Sequence, residues 1–149
     1  MVLDVSFVKL EDRYIDELCL IESVSNPSPW NRRMFEQELQ VGSSTFFVAM
    51  HDGRAVGFAG LRIHGDFAEL MNIAVDPRFR RLGIGGGVLD FLISIAVKEK
   101  LNGIFLEVRQ SNVSAQNLYL SRGFSNVGRR VNYYGSEDAL LMEKKIEMA

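Results

Sequence analysis

The chain has one cysteine, two histidines and almost no charge imbalance, and each scarcity removes a class of chemistry. Cys19 alone cannot form an internal disulfide, and with only His51 and His64 beside it there is no cluster at zinc-ligand spacing. A reducing compartment and no metal site are therefore expected. A formal net charge of −2 over 149 residues argues against a general nucleic-acid binder, whose domain would be basic overall. No apolar run approaches the ~18 residues of a membrane span, and the opening "MVLDVSFVKLEDR" alternates and carries acids where a signal peptide would be basic. Together these point to a soluble cytoplasmic protein with neither nucleic acid nor membrane as a partner. Repeats, low-complexity stretches and linkers are lacking too, so 1–149 reads as one domain, and 47% hydrophobic residues suffice for a core.

What is present is an orderly series of strand and helix patterns. "DVSFVKL" alternates as a first strand, and "EDRYIDELCLIESV" places Ile15, Leu18, Cys19 and Glu22 at helical spacing, with Cys19 as a core thiol. In "SNPSPWNRRMFEQEL", Pro27 and Pro29 interrupt the helix, Asn31 can cap a second short one, and Trp30 falls in the loop between them. Three β-rich runs, "TFFVAM", "AVGFAGLRI" and "FAELMNIAV", are joined by two-residue hairpin signals at Asp52-Gly53 and Gly65-Asp66. His51 and His64 flank these turns and read as exposed polar residues. The longest helix pattern runs from about Gly83 to Lys100, with Val88, Leu92 and Ile95 or Ala96 as its apolar stripe and Gly103 as its stop. "GIFLEV" follows as a strand, "SAQNLYLSR" as a helix closed by Gly123, and "FSNVGRRVNYY" and "DALLMEKKIEM" as final strands. This order implies a mixed α/β sheet with at least one helical crossover.

The start of the long helix carries an electrostatic anomaly. A helix N-terminus is partially positive and exposes unpaired N–H groups, so Arg78, Arg80 and Arg81 have locally the wrong sign. Gly83, Gly85, Gly86 and Gly87 cost up to about 1 kcal/mol each inside a helix, but they clear the backbone for a close approach. A diphosphate held by backbone amides accounts for both features. An exposed basic turn would explain the arginines and leave the glycines unexplained. A Walker loop would need Lys after its last glycine, where Val88 stands, and a Rossmann fingerprint would need Gly at position 88.

These residues carry a resemblance. "NIAVDPRFRRLGIGGGVLDFLI" resembles the acetyl-coenzyme A motif of the GNAT superfamily of N-acetyltransferases, with Arg80, Arg81, Leu82, Gly83, Ile84 and Gly85 in its pattern. "NVSAQNLYLSRGF" is similar to the family's second motif through Asn112, Ala115, Leu118, Tyr119, Gly123 and Phe124. "PWNRRMFEQEL", "LEVRQSN" and "NYYGSEDALLM" narrow the likeness to the ribosomal-protein-alanine N-acetyltransferases (RimI-type), over nearly the whole chain. Two departures stand out: only "GS" lies between Tyr134 and Glu137, and Gly86-Gly87 replaces the basic residue and Ala that members often carry.

The resemblance implies a mostly antiparallel mixed sheet of about seven strands with about four helices, and a splayed strand pair at the cofactor site. It implies acetyl-coenzyme A as co-substrate, held by Arg80, Arg81, Leu82, Gly83, Ile84, Gly85 and Gly86. The arm would pair with the strand end at Ile73, Ala74 and Val75, where an amide polarises the thioester carbonyl, and with Asn112 and Tyr119. The acceptor is expected to be a protein or peptide N-terminus, with the enzyme a monomer or weak dimer.

The chemistry needs a base for the attacking amine and an acid for the departing thiolate. Alternation in "GIFLEVRQ" puts Phe105, Glu107 and Arg109 on one face of the strand. The residues alone leave Glu107 either a base in a partly desolvated cleft or a solvated partner for Arg109; the resemblance implies the base. Tyr119 is either a core tyrosine or, as a phenol with an ordinary pKa near 10, the acid that the resemblance implies. Trp30, Tyr133 and Tyr134 are candidates for the walls of an acceptor groove, or are packing aromatics. Three functions stay open: acetylation of a protein α-amine, acetylation of a small amine or protein lysine, and a non-catalytic coenzyme A sensor. "NYYGSEDALLM" argues against the second, and the presence of both Glu107 and Tyr119 against the third.

Overall fold

A computed structural model describes residues 3–146. Seven strands, β1 (Ser6–Lys9), β2 (Ser44–His51), β3 (Arg54–His64), β4 (Phe67–Val75), β5 (Gly103–Arg109), β6 (Ser125–Arg130) and β7 (Ala139–Lys145), form one sheet in the order β1-β2-β3-β4-β5-β7-β6. Four helices join them: α1 (Ile15–Ser25), α2 (Arg32–Leu39), α3 (Ile84–Lys98) and α4 (Val113–Ser121). All neighbouring pairs are antiparallel except β4 and β5, which α3 connects as a crossover. The mixed sheet with a helical crossover agrees with the element order, and its mostly antiparallel pairing with what the resemblance implies.

The hairpins form where the turn dipeptides lie. Asp52 and Gly53 both take positive φ, 49° and 76°, which suits the right-handed twist of β2 and β3. Gly65 takes φ 63° between β3 and β4. Helical apolar stripes then cover both faces. Ile84, Val88, Leu89, Leu92 and Ala96 of α3 join one core cluster, while Ile15, Leu18 and Ile21 of α1 and Phe35 of α2 join the other. Asn31 caps α2 as expected, its Oδ1 accepting from Met34 N at 3.0 Å.

The feature that creates a site is the end of the β4–β5 pair, the only parallel one among the described residues. β4 and β5 hold register only from Phe67–Glu69 to Gly103–Phe105. Beyond it the strands part, while β5 stays paired with β7 as far as Arg109. A register shift at Gly60/Leu61 pairs Leu61 with Leu70 and Gly60 with Asn72, so β4 bulges at Met71 just where the separation begins.

Three details differ from the sequence reading. α3 ends at Lys98, close to the expected Lys100, but Gly103 is not its stop: Lys100 takes φ 57°, its N–H meets Val97 O at 3.0 Å and Leu101 N meets Ala96 O at 3.0 Å. That is a Schellman closure with lysine in the usual glycine position, and Gly103 instead opens β5, where a Cβ would press on Phe67 and the Lys144 carbonyl. Cys19 is only half-buried, because Ile15, Leu18, Ile21 and Glu22 take the inward face of α1. β6 stops at Arg130, since Asn132 and Gly135 turn the chain with φ 54° and 82°.

Candidate active site

Two cavities flank the strand separation. The larger, about 800 Å³, is walled by Ile73, Ala74 and Val75 of β4, by Arg80, Arg81, Gly83, Ile84, Gly85 and Gly86 at the start of α3, and by Asn112, Ala115, Leu118 and Tyr119 at α4. The smaller, about 380 Å³, is walled by Glu22, Pro27, Ser28 and Trp30, by Asn72 to Ala74, by Glu107 and Arg109, and by Tyr133 and Tyr134. Ile73, Ala74, Asn112 and Tyr119 line both, so the cavities meet where β4 leaves β5.

The larger cavity is prepared for an anion. Gly83 caps α3 in the left-handed region at φ 79°, with no side chain satisfying the helix's first N–H groups, and Arg81 also takes positive φ, 64°. Arg80 and Arg81 are exposed, and neither makes an ion pair among the described residues. Arg78 is spent elsewhere: its Nη2 lies 2.7 Å from Asp76 Oδ2, and that guanidinium holds the Asp76 carboxyl below the usual range. Leu82 does not line the cavity; its carbonyl accepts from Leu3 N at 2.7 Å. Asn112 caps α4, accepting from Ala115 N at 3.2 Å through its side chain, and so stands at the junction.

Glu107 lies on the face of β5 that alternation assigns it, with Phe105 and Arg109, and its side chain is 16% exposed. It does not pair with Arg109. Arg130 Nε lies 3.1 Å from Glu107 Oε1, whereas Arg109 contacts Glu137 at 3.2 Å and stands over the Tyr134 ring at 4.1 Å. Hydrogen bonding to Glu107, together with its charge, pushes the Tyr133 phenol up. Tyr119 is 4% exposed, and burial pushes its phenol far above the ordinary value. Its ring packs on Phe124 at 5.8 Å. Trp30 both lines the smaller cavity and packs on Phe35 and Phe46 at 5.2 and 5.5 Å. Tyr133 and Tyr134 meet edge-to-face at 5.0 Å beside Glu107. His51 and His64 take no part in either cavity: His51 Nδ1 meets Asp4 O at 2.8 Å and His64 Nε2 meets Glu69 Oε1 at 2.9 Å.

The sequence put Glu22 on the helical stripe without giving it a role, and it did not single out Asn72, Glu137 or Arg130. Glu22 is fully buried; its Oε2 accepts from Trp30 N at 2.8 Å, which fixes the proline-rich loop over the cavity. A charged residue on the apolar stripe of α1 was the signal available for it. Glu137 Oε2 accepts from Ser111 N at 2.7 Å and ties the β6–β7 connection to the end of β5; these bonds hold its carboxyl below the usual range. No pattern in the sequence marks Glu137 or Arg130, because both act across strands distant in the chain. Among the described residues, no three His, Cys, Asp or Glu side chains converge as a metal site. Nor is any described helix long and apolar enough to cross a membrane.

The arrangement has known counterparts. The acetyltransferase (GNAT) family profile matches residues 15–124. The [ribosomal protein bS18]-alanine N-acetyltransferase of Escherichia coli K12 is 37% identical over 86% of this chain and 88% of its own. An N-alpha-acetyltransferase of Sulfurisphaera tokodaii is 36% identical over 86% of this chain and 85% of its own. The crystal structure of the Escherichia coli ribosomal-protein-S18-alanine N-acetyltransferase superposes with a TM-score of 0.90 over 98% of this chain and 96% of that one, at 34% identity. A GNAT-family acetyltransferase of Elizabethkingia anophelis, solved with acetyl-CoA bound, shares the fold with a TM-score of 0.79 over 95% of this chain and 98% of that one, at 21% identity.

Proposed function

The chain belongs to the acetyltransferase (GNAT) family, and from that premise we propose that it moves an acetyl group from acetyl-coenzyme A to the α-amino group of a protein N-terminus, a ribosomal-protein alanine foremost. The observation that carries this reading is the junction of the two cavities at Ile73, Ala74, Asn112 and Tyr119, which gives donor and acceptor separate entrances to one point. In this reading 1–149 works as one catalytic domain in the cytoplasm, as a monomer or weak dimer, with protein side chains rather than a metal doing the acid–base work.

The residues of the larger cavity fit coenzyme A. The uncapped amides at Gly83, Ile84 and Gly85, with Arg80 and Arg81 beside them, suit its diphosphate. Ile73 to Val75 have lost β5 as a neighbour and keep backbone groups for the amide-rich arm. Acetyl-coenzyme A supplies the activated thioester.

Glu107 takes a proton from the incoming α-ammonium, directly or through one water, and leaves the nitrogen lone pair free to attack the carbonyl carbon. A backbone N–H at Ile73 to Val75 stabilises the charge that develops on the carbonyl oxygen. Tyr119, buried and held in its protonated form, gives its phenolic proton to the thiolate sulfur as the carbon–sulfur bond breaks, and the second proton of the attacking nitrogen passes back to Tyr119 as the amide forms. Trp30, Tyr133 and Tyr134 form the walls that admit an extended peptide end. An α-amine has an ordinary pKa near 8 and a lysine amine near 10.4, so near neutral pH the first offers on the order of 10² more free base. Release of free coenzyme A in the presence of an Ala-initiated peptide, and not of the same peptide with its N-terminus already acetylated, is the expected outcome; equal release with both would overturn the reading.

A further inference from the structure

We infer that Arg122, reaching from the end of α4 over the first turn of α3, is a further phosphate-binding cation of the coenzyme A cradle; this rests on the reading that the larger cavity takes that molecule. The starting observation is Gly86. It sits inside α3, where glycine is the least favoured ordinary residue. It is buried and lines the larger cavity with Arg80, Arg81 and Gly85. A Cβ on Gly86 would overlap the Arg122 guanidinium, whereas nothing stands near the corresponding point on Gly87. The missing side chain is therefore room for Arg122.

The guanidinium is held but not fully spent. Asp90, one turn further along α3, holds Nε at 3.1 Å and Nη2 at 3.4 Å, and Nη1 donates to Ser121 Oγ at 3.1 Å. Five N–H donors less these three leaves two to spend. The two side chains are 32% and 60% exposed, so the pair stays open to a stronger anion. Leu118, one turn earlier on α4, lies 3.4 Å from a Cβ placed on Gly85 and lines the cavity, so α4 follows the cavity edge towards Arg122.

Charge completes the case. Arg80 and Arg81 directly precede α3 and Arg122 overlies its first turn at Gly86, where the dipole disfavours cations, and that turn carries no acid. Asp90 answers one of the three. Coenzyme A carries a diphosphate and a 3′-phosphate, and a planar guanidinium with free N–H groups matches either.

The test is calorimetric binding of acetyl-coenzyme A, its 3′-dephospho form and acetyl-pantetheine to wild type, Arg122→Ala, Asp90→Asn and Gly86→Ala. Arg122→Ala is expected to weaken acetyl-coenzyme A roughly tenfold and to leave acetyl-pantetheine unchanged. A loss that persists with the dephospho form assigns the diphosphate; a loss that vanishes assigns the 3′-phosphate. Gly86→Ala, which displaces the guanidinium without removing it, is expected to weaken acetyl-coenzyme A as well. Asp90→Asn keeps the cation and is expected to bind no more weakly than wild type. If Arg122→Ala binds all three compounds like wild type, or loses acetyl-pantetheine equally, or if Asp90→Asn loses as much as Arg122→Ala, Arg122 is only a helix-to-helix tether. Failure of wild type itself to bind acetyl-coenzyme A would instead sink the underlying cofactor reading.

Discussion

Arg130 Nε lies 3.1 Å from Glu107 Oε1, reaching from β6 across β7 to the carboxylate on β5. The same guanidinium stands 5.6 Å from the centre of the Tyr133 ring. The proposed base is thus held by a partner from the edge strand of the sheet. Arg130→Ala is expected to lower turnover about three- to tenfold through a freer Glu107. The pair is solvent-facing on the arginine side, so stability should change by no more than about 1 kcal/mol. Steady-state kinetics beside a urea melt separate the two, and a stability loss that accounts for the activity loss would contradict the positioning role.

Glu107→Gln removes the base and keeps the shape. Turnover should fall by about 10²- to 10⁴-fold, while the dissociation constant of acetyl-coenzyme A stays put, because Glu107 lines only the smaller cavity. Calorimetry with acetyl-coenzyme A and initial rates with peptide check both halves. Arg80→Ala should show the opposite pattern, with cofactor binding weakened most at low salt and turnover at saturation retained.

Tyr119 links the site to pH. Its folded-state pKa is raised by burial, so between the unfolded value near 10 and the higher folded value the native state holds a proton that the unfolded chain has lost. Its stabilising contribution is therefore complete below pH 10 and fades as pH climbs through that window. Tyr119→Phe keeps the ring against Phe124 and removes the titration. Its Tm should decline less than that of wild type above pH 10, while turnover at pH 7.5 falls on the order of 10²-fold. Parallel alkaline Tm curves for the two proteins would contradict the linkage.

The fold rests on a tether as well as on apolar cores. Arg62 of β3 donates to both oxygens of Glu38 at the end of α2, at 2.7 and 2.6 Å, and Glu38 is 7% exposed. Arg62→Ala leaves a buried carboxylate alone and should cost about 3 kcal/mol in a denaturant melt. A loss under 1 kcal/mol would mean that water reaches Glu38.

Local signals in the sequence carried most of the architecture. The Asp52-Gly53 and Gly65-Asp66 turns, the alternation around Glu107 and the Asn31 cap depend on neighbours in the chain, and they sit where their patterns put them. Lys100 shows the boundary of that logic: tertiary packing of Leu101 drives a lysine into a conformation that glycine normally takes, so the visible Gly103 misleads. The partners of Glu107, Glu22 and Gly86 were out of reach for a different reason. Arg130, Trp30 and Arg122 meet them only through strand order, a loop fold and helix packing, none of which leaves a periodic trace.

The most direct measurement is mass spectrometry of peptides incubated with the protein and acetyl-coenzyme A, half with free Ala, Ser or Met N-termini and half N-blocked with an internal lysine. One added acetyl group on free N-termini alone, lost with Glu107→Gln, is the expected result. Acetylation of the blocked peptides at lysine, or of none despite tight cofactor binding, would contradict the assignment of an α-amine acceptor.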